Sequence, residues 1–220
     1  VNSAGIRTNL GNQNIIVNSG AITTSGPGSL GILATGNSNN ISNSGSITTT
    51  GVADGATSAD GIYSDGNSNT VTNSGSVISY FGKAIAFSGS GNILNLANSS
   101  FLGGVIDLGT GTQINIATAA NYSKLINYTG TLSGSITASG SVPAFINTST
   151  NQVATYDPTI FSASSDALGD MTSTISSLTP TRFNGSDKDH PLWVRGFGMA
   201  SSYEGTDATL DRSYNYSGVA

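Results

Sequence analysis

The feature that most limits what this chain can fold into is a repeat. Four segments fall into register: GIRTNLGNQNIIVNSGAI from Gly5, GILATGNSNNISNSGSI from Gly31, GIYSDGNSNTVTNSGSV from Gly61, and a worn copy, AIAFSGSGNILNLANSS, from Ala84. They define three apolar columns: Ile6, Ile32, Ile62 and Ile85; Ile16, Ile41, Val71 and Leu94; Ile22, Ile47 and Val77. First and second columns are 10, 9, 9 and 9 residues apart, and second and third are always 6 apart. From the third column to the next copy the distance is 10, 15 and 8, so the large length changes fall in one loop, longest in GVADGATSAD. Short segments of fixed length joined by one elastic loop are what a solenoid needs, because each coil must stack on its neighbour while a projecting loop costs little at any length.

The segments alternate apolar and polar residues, are rich in Ile, Val and Thr, and are punctuated by Gly and Asn. That is strand and turn chemistry rather than helix chemistry. Parallel strands need a return path, and a three-sided coil of about 23 to 30 residues supplies one. The elastic loop is expected to lie outside the stack. Asn18, Asn43 and Asn73 are expected to stand one strand spacing apart, about 4.8 Å, with their amides bonded along the axis as a ladder. Gly20, Gly45 and Gly75 are expected at positive φ in the turn, and Asn37 and Asn67 in a second turn column. Stacking accounts for the repetition of NSG and GNSN, which a ligand site would not.

Composition excludes several function classes. Of 220 residues 7 are Lys or Arg and 12 are Asp or Glu, a net charge of -5, and only 9% are charged. The average is about 25%. A mildly acidic chain without a basic cluster is a poor nucleic-acid binder. Regularly placed Ile, Val and Leu argue against disorder or a flexible Ser/Gly linker. There is no cysteine, so neither disulfides nor thiolate metal sites arise. No apolar run approaches the roughly 18 residues of a membrane helix, and a start at Val1 with no signal peptide reads as a piece excised from something longer.

After Asn92 the register blurs but alternation continues with bulkier residues, placing Ile114, Ile116, Leu125 and Tyr128 on the inner side. GGVIDLGTG around Asp107 is similar to a calcium-binding nonapeptide, but such sites need an Asp every nine residues and this one stands alone. Near residue 150 the style changes. YDPTIFSASSDALGDMTSTISSLTP has Asp157 as N-cap, Pro158 at the first helical position and Pro180 past the end. Phe161, Leu168, Met171, Ile175 and Leu178 form one apolar stripe, and Ser164, Ser165, Thr172 and Ser176 lie on the opposite, polar side. LWVRGFGMASSY then alternates, with Trp193, Arg195, Phe197 and Met199 on one side, and DRSYNYSGVA begins a returning strand. An alternating strand with aromatics, a turn and a return are the signature of a membrane barrel's first hairpin.

VPAFINTSTNQVATYDPTIFSASSDALGDMTSTISSLTPTR followed by PLWVRGFG resembles the junction of type Va bacterial autotransporters, and the NSGSI repeats are similar to their passengers. The resemblance covers about residues 142–220 closely and the repeats more loosely. It implies an all-β chain built as a parallel (right-handed) β-helix solenoid, then one α-helix threading a pore and a β-hairpin opening an outer-membrane barrel. The implied divisions are passenger repeats over 1–141, a terminal coil or cap over 142–157, an α-helical linker over 158–190, and the first part of the barrel over 191–220. The implied setting is the cell surface and outer membrane of a Gram-negative bacterium. Its implied partners are the chain's own barrel, the outer-membrane assembly machinery and a host-surface or matrix ligand.

No catalytic constellation is legible. The lone His190 lies in the linker SDKDHP, with no GDSGS or GxSxG stretch to hold a serine near it. Asp54, Asp60 and Asp65 sit in or beside one elastic loop, without a cationic partner cluster of the kind a polysaccharide-cleaving β-helix would need. Gly-rich runs lack the Lys of a phosphate loop. The expectation is therefore a non-enzymatic passenger, adhesin-like or a structural stalk, with no catalytic, cofactor or metal residues. A carbohydrate-active or carbohydrate-binding β-helix is the alternative.

Overall fold

Each repeat closes into one coil of three short strands, and the coils stack. The computed structural model describes residues 3–55, 58–120, 122–130, 132, 134–157, 166–174, 176, 196–203 and 212–219. The first coil holds β1 (Ala4–Thr8), β2 (Ile15–Asn18) and β3 (Ala21–Thr24), and the second β4 (Leu30–Thr35), β5 (Asn40–Asn43) and β6 (Ser46–Thr49). β7 (Ile62–Asp65), β8 (Thr70–Asn73) and β9 (Ser76–Ser79) form the third, and β10 (Ile85–Ser88), β11 (Ile93–Leu96) and β12 (Phe101–Gly103) the fourth. β13 (Ile106–Asp107), β14 (Gln113–Thr118), β15 (Lys124–Thr129), β16 (Ile136–Gly140), β17 (Ala144–Asn147) and β18 (Gln152–Thr155) complete the stack. Up to β14 every third strand pairs, and beyond it β15 joins β13 and β16 joins β14, giving sheets ordered β1-β4-β7-β10-β13-β15-β18-β17, β16-β14-β11-β8-β5-β2 and β12-β9-β6-β3. The result is a β-helix-like solenoid.

The three columns read from the repeats are the inside of the stack. Ile6 pairs with Ile32, Ile32 with Ile62 and Ile62 with Ile85. Ile16, Ile41, Val71 and Leu94 continue to Ile114 and Ile136. Ile22, Ile47 and Val77 continue to Leu102. Ile32, Ile41, Ile47, Ile62, Val71, Val77, Ile85 and Leu94 are fully buried, each contributing roughly 1.5–3 kcal/mol relative to exposure. Gly31 and Gly61 precede the first column for a packing reason: a Cβ there would stand 2.3 Å from Ile47 Cγ2 and 2.4 Å from Val77 Cγ1.

The Asn ladder is present. Asn18 Nδ2 donates to Asn43 Oδ1 at 2.8 Å, and Asn43 Nδ2 to Asn73 Oδ1 at 2.7 Å, all three side chains being buried. It stops where Leu96 takes the next place in the column. Asn37 and Asn67 also stack, but each exposed side-chain oxygen accepts a backbone N–H of the following coil, from Asn67 and Ser90, at 2.8 Å. A third Asn column lies on the buried side of this turn. Asn39, Asn69 and Asn92 are buried, and their Oδ1 atoms accept the backbone N–H of Asn14, Asn39 and Asn69 at 2.9, 2.7 and 2.8 Å.

Two expectations about the turns are corrected. Gly20, Gly45 and Gly75 do not have positive φ; the left-handed residues are Gly36 with Ser38 and Gly66 with Ser68, in the other turn. Glycine is needed in NSG because backbones touch: a Cβ on Gly45 would lie 2.0 Å from the Gly20 carbonyl oxygen, and one on Gly75 2.0 Å from that of Gly45. Nor is the elastic loop wholly outside the stack. Ala59 and Asp60 are buried at its end. The Ala59 carbonyl accepts Thr49 and Ser79 hydroxyls at 2.7 and 2.9 Å, while the Asp60 carboxylate accepts the Lys83 N–H at 2.7 Å and the Ser58 hydroxyl at 2.6 Å.

At the far end the winding changes direction. β18 runs antiparallel to both β15 and β17, with Lys124 opposite Thr155 and Ala144 opposite Thr155. A reversed pair ends the parallel stack, as a solenoid's terminal unit must differ from its repeats. Ile114, Ile116 and Tyr128 are buried as expected, but Leu125 is 62% exposed. Leu125 and Tyr128 are three residues apart on one strand and therefore face opposite sides, so Ile126 is the inner residue.

The chain divides into two compact units, Val1–Tyr156 and Asp157–Ala220. In the second, residues 166–174 are helical. Thr172 and Thr174 donate their hydroxyls to the carbonyls of Leu168 and Asp170, at 2.8 and 2.9 Å. Thr172 stays exposed on the polar side while its hydroxyl bonds back to the helix's own carbonyl. Leu168 and Met171 of the apolar stripe are exposed, while Phe161, Ile175, Leu178, Trp193, Arg195 and His190 lie outside the described residues. β19 (Gly196–Tyr203) and β20 (Arg212–Val219) form an antiparallel hairpin in register from Gly196 opposite Val219 to Tyr203 opposite Arg212. Among the described residues no helix is long and apolar enough to cross a membrane, which says nothing of crossing by strands.

Candidate binding groove

Strand alternation that buries one side chain projects the next, and stacking then lines up the projecting residues as strictly as the buried ones. On the long sheet the residue after each first-column position is Arg7, Leu33, Tyr63, Ala86 and Asp107, and these five pair in register. At about 4.8 Å per strand the row runs about 19 Å along the axis. Beside it, the loops preceding β7 and β10 contribute Ser58, Asp60 and Lys83. Together they enclose an open groove of about 440 Å³.

The groove's charges divide into committed and uncommitted groups. Both carboxylate oxygens of buried Asp60 are occupied, one by Ser58 and one by the Lys83 backbone, so this acid braces the rim. Among the described residues, the Arg7 guanidinium, the Lys83 ammonium and the Asp107 carboxylate make no hydrogen bond or ion pair. Tyr63 presents a half-buried ring between them. This is a set for holding a polar ligand: two cations, one carboxylate, one aromatic face. Cleavage of a glycosidic bond uses two carboxyl groups, and only Asp107 is uncommitted in the groove. Of the loop acids weighed from the sequence, Asp60 is brought here, whereas Asp54 and Asp65 are not. No group of three or more His, Cys, Asp or Glu side chains suited to a metal occurs among the described residues, and Asp107 faces the groove rather than a calcium loop.

Sequence reasoning passed over Arg7, Tyr63 and Lys83. The signal for the row was in the aligned copies as GIR, GIL, GIY and AIA, followed by VID. The residue after each buried isoleucine is variable but equally well stacked. Compared with known families, curated proteins and solved structures, the chain matches none of them.

Proposed function

We propose that this chain is part of a non-enzymatic cell-surface passenger, adhesin-like or a structural stalk, exported through its own outer-membrane β-barrel. The passenger is then a right-handed parallel β-helix, the helix at 166–174 part of a pore segment, and β19 and β20 the first hairpin of the barrel. The observation that supports this reading is the succession itself: a stack of parallel coils ending in a reversed pair, then a helix, then an antiparallel pair with strands of 8 residues. That length approaches the roughly 9–11 residues of a membrane-crossing strand. The partners are the chain's own barrel, the outer-membrane assembly machinery and a host-surface or matrix ligand. The test is protease accessibility and surface labelling of the full-length protein in a Gram-negative cell, with and without the segment after Leu192. Surface exposure lost on truncation is the expected result; a solenoid found in the cytoplasm of cells making the full-length protein overturns the reading.

The groove favours a second reading, a carbohydrate-binding or carbohydrate-active β-helix. Glycan-array binding by the intact chain that is lost in Tyr63→Ala, with no release of shortened sugars, supports binding without cleavage. Sugar release that Asp107→Asn abolishes would make the chain an enzyme.

A further inference from the structure

A second cavity, of about 250 Å³, lies between the turn after β11 and the start of β15, shares no lining residue with the groove, and is lined by Phe101, Leu102, Tyr122 and Leu125 on its apolar side. Its polar groups are unusually placed. Lys124 reaches into it, and Nζ donates to the Ala97 carbonyl and to the Ser100 hydroxyl, the latter at 3.0 Å. Those two bonds tie the start of β15 to the preceding coil, while the Lys124 backbone N–H donates on the other side to the Thr155 hydroxyl of β18 at 3.1 Å. They leave an ammonium with one further N–H and no counter-charge, since both partners are neutral. Burial alone, with no compensating acid, lowers the Lys124 pKa to about 8. The second polar group is Asn98, whose Oδ1 is buried and accepts no hydrogen bond. That oxygen has almost no surface open to solvent as the side chain stands, and a ligand donor supplies its missing bond once the amide turns toward the cavity.

We propose that this pocket binds a small apolar carboxylate, its anionic end on Lys124, its body against Phe101, Leu102, Tyr122 and Leu125, and, once the Asn98 amide turns toward the cavity, a hydroxyl or N–H donor on its Oδ1. A clasp between coil and cap accounts for the bonds of Lys124 to Ala97 and Ser100, but not for an uncompensated charge and an unfilled acceptor on residues that line one cavity. One ligand of this class answers both. The carboxylate supplies the missing charge, and in a half-dry site such a pair is stronger than in water. Phe101 and Tyr122, 57% and 43% exposed, offer aromatic faces at the mouth. The inference does not rest on the proposed function.

The probes are benzoate, 4-hydroxybenzoate, 3-hydroxybenzoate and benzyl alcohol, titrated into the intact 220-residue chain by calorimetry. Benzoate is expected to bind one to one, benzyl alcohol at least tenfold more weakly, and one hydroxybenzoate several-fold more tightly than benzoate. Lys124→Met should weaken benzoate at least tenfold while Lys124→Arg retains it, and Asn98→Ala should erase the hydroxybenzoate advantage. Affinity should be flat from about pH 6, where the ligand is fully anionic, to about pH 8, and then fall roughly tenfold per unit as the amine loses its proton. No saturable binding, equal affinity for benzoate and benzyl alcohol, or benzoate affinity unchanged in a Lys124→Met protein with wild-type circular dichroism would overturn the proposal. Equal affinity for all three carboxylates would remove Asn98 from it.

Discussion

Replacing Asn43 by alanine tests whether the polar ladder holds the coils together. Asn43 is fully buried, accepts from Asn18 at 2.8 Å and donates to Asn73 at 2.7 Å. Each bond is worth about 1 kcal/mol net. Their loss is not the whole effect, because the partners fare differently. Asn18 Nδ2 keeps the Gly20 carbonyl at 3.2 Å, whereas Asn73 Oδ1 loses the one donor seen for it in a buried position, costing roughly 1–3 kcal/mol more. The total is roughly 3–5 kcal/mol. Asn37→Ala is the matched control: its side chain gives one 2.8 Å bond at an exposed turn where water can replace it, so the change should stay within about 0.5 kcal/mol. With a urea slope of about 2 kcal/mol/M, Asn43→Ala should lower the midpoint by at least about 1.5 M and Asn37→Ala by no more than about 0.3 M. Circular dichroism of the strand signal reads both, and amide hydrogen exchange should show the loss centred on β5 and β8. Equal midpoints for the two variants would refute the argument that the ladder stabilises through buried partners.

Gly45→Ala should strongly lower the same midpoint, because its Cβ would stand 2.0 Å from the Gly20 carbonyl oxygen, while Gly20→Ala, with nothing within 4 Å, should not; similar midpoints would show that the stack yields freely. Ile62→Asp places a charge in a fully buried column between Ile32 and Ile85 and should cost more than about 4 kcal/mol, seen as lost thermal cooperativity; an unchanged transition would break the column assignment. Lys124 has a pKa of about 8 in the folded chain against an ordinary 10.5, so between those values the unfolded chain binds more protons and stability should rise with pH. Below about pH 8 the penalty is complete and constant. Urea midpoints from pH 7 to 10.5 should rise in the wild type relative to Lys124→Met, and parallel curves would contradict the desolvation of this amine.

The repeated columns were legible because stacking forces each position to solve the same problem in every coil. Ile32, Ile62 and Ile85 must all be apolar, and Asn18, Asn43 and Asn73 must all supply a donor and an acceptor. The buried Asn39, Asn69 and Asn92 column escaped notice although it repeats as plainly, since an Asn near a glycine reads as a turn whether it faces water or the core. The groove escaped notice for the opposite reason: Arg7, Leu33, Tyr63, Ala86 and Asp107 share a row but no chemistry.

The sequence by itself determined the coil, its three sides and the partners within the three apolar columns and the Asn18, Asn43 and Asn73 ladder, because a period in sequence becomes a neighbour in space once strands lie about 4.8 Å apart. Only the tertiary structure decided why glycine stands in NSG, that Asp60 braces a rim rather than serving a site, that β18 reverses against β15, and that Lys124 and Asn98 line one pocket. The glycine depends on how closely stacked turns approach, and the others on contacts between segments that share no repeat, where distance along the chain carries no information about distance in space.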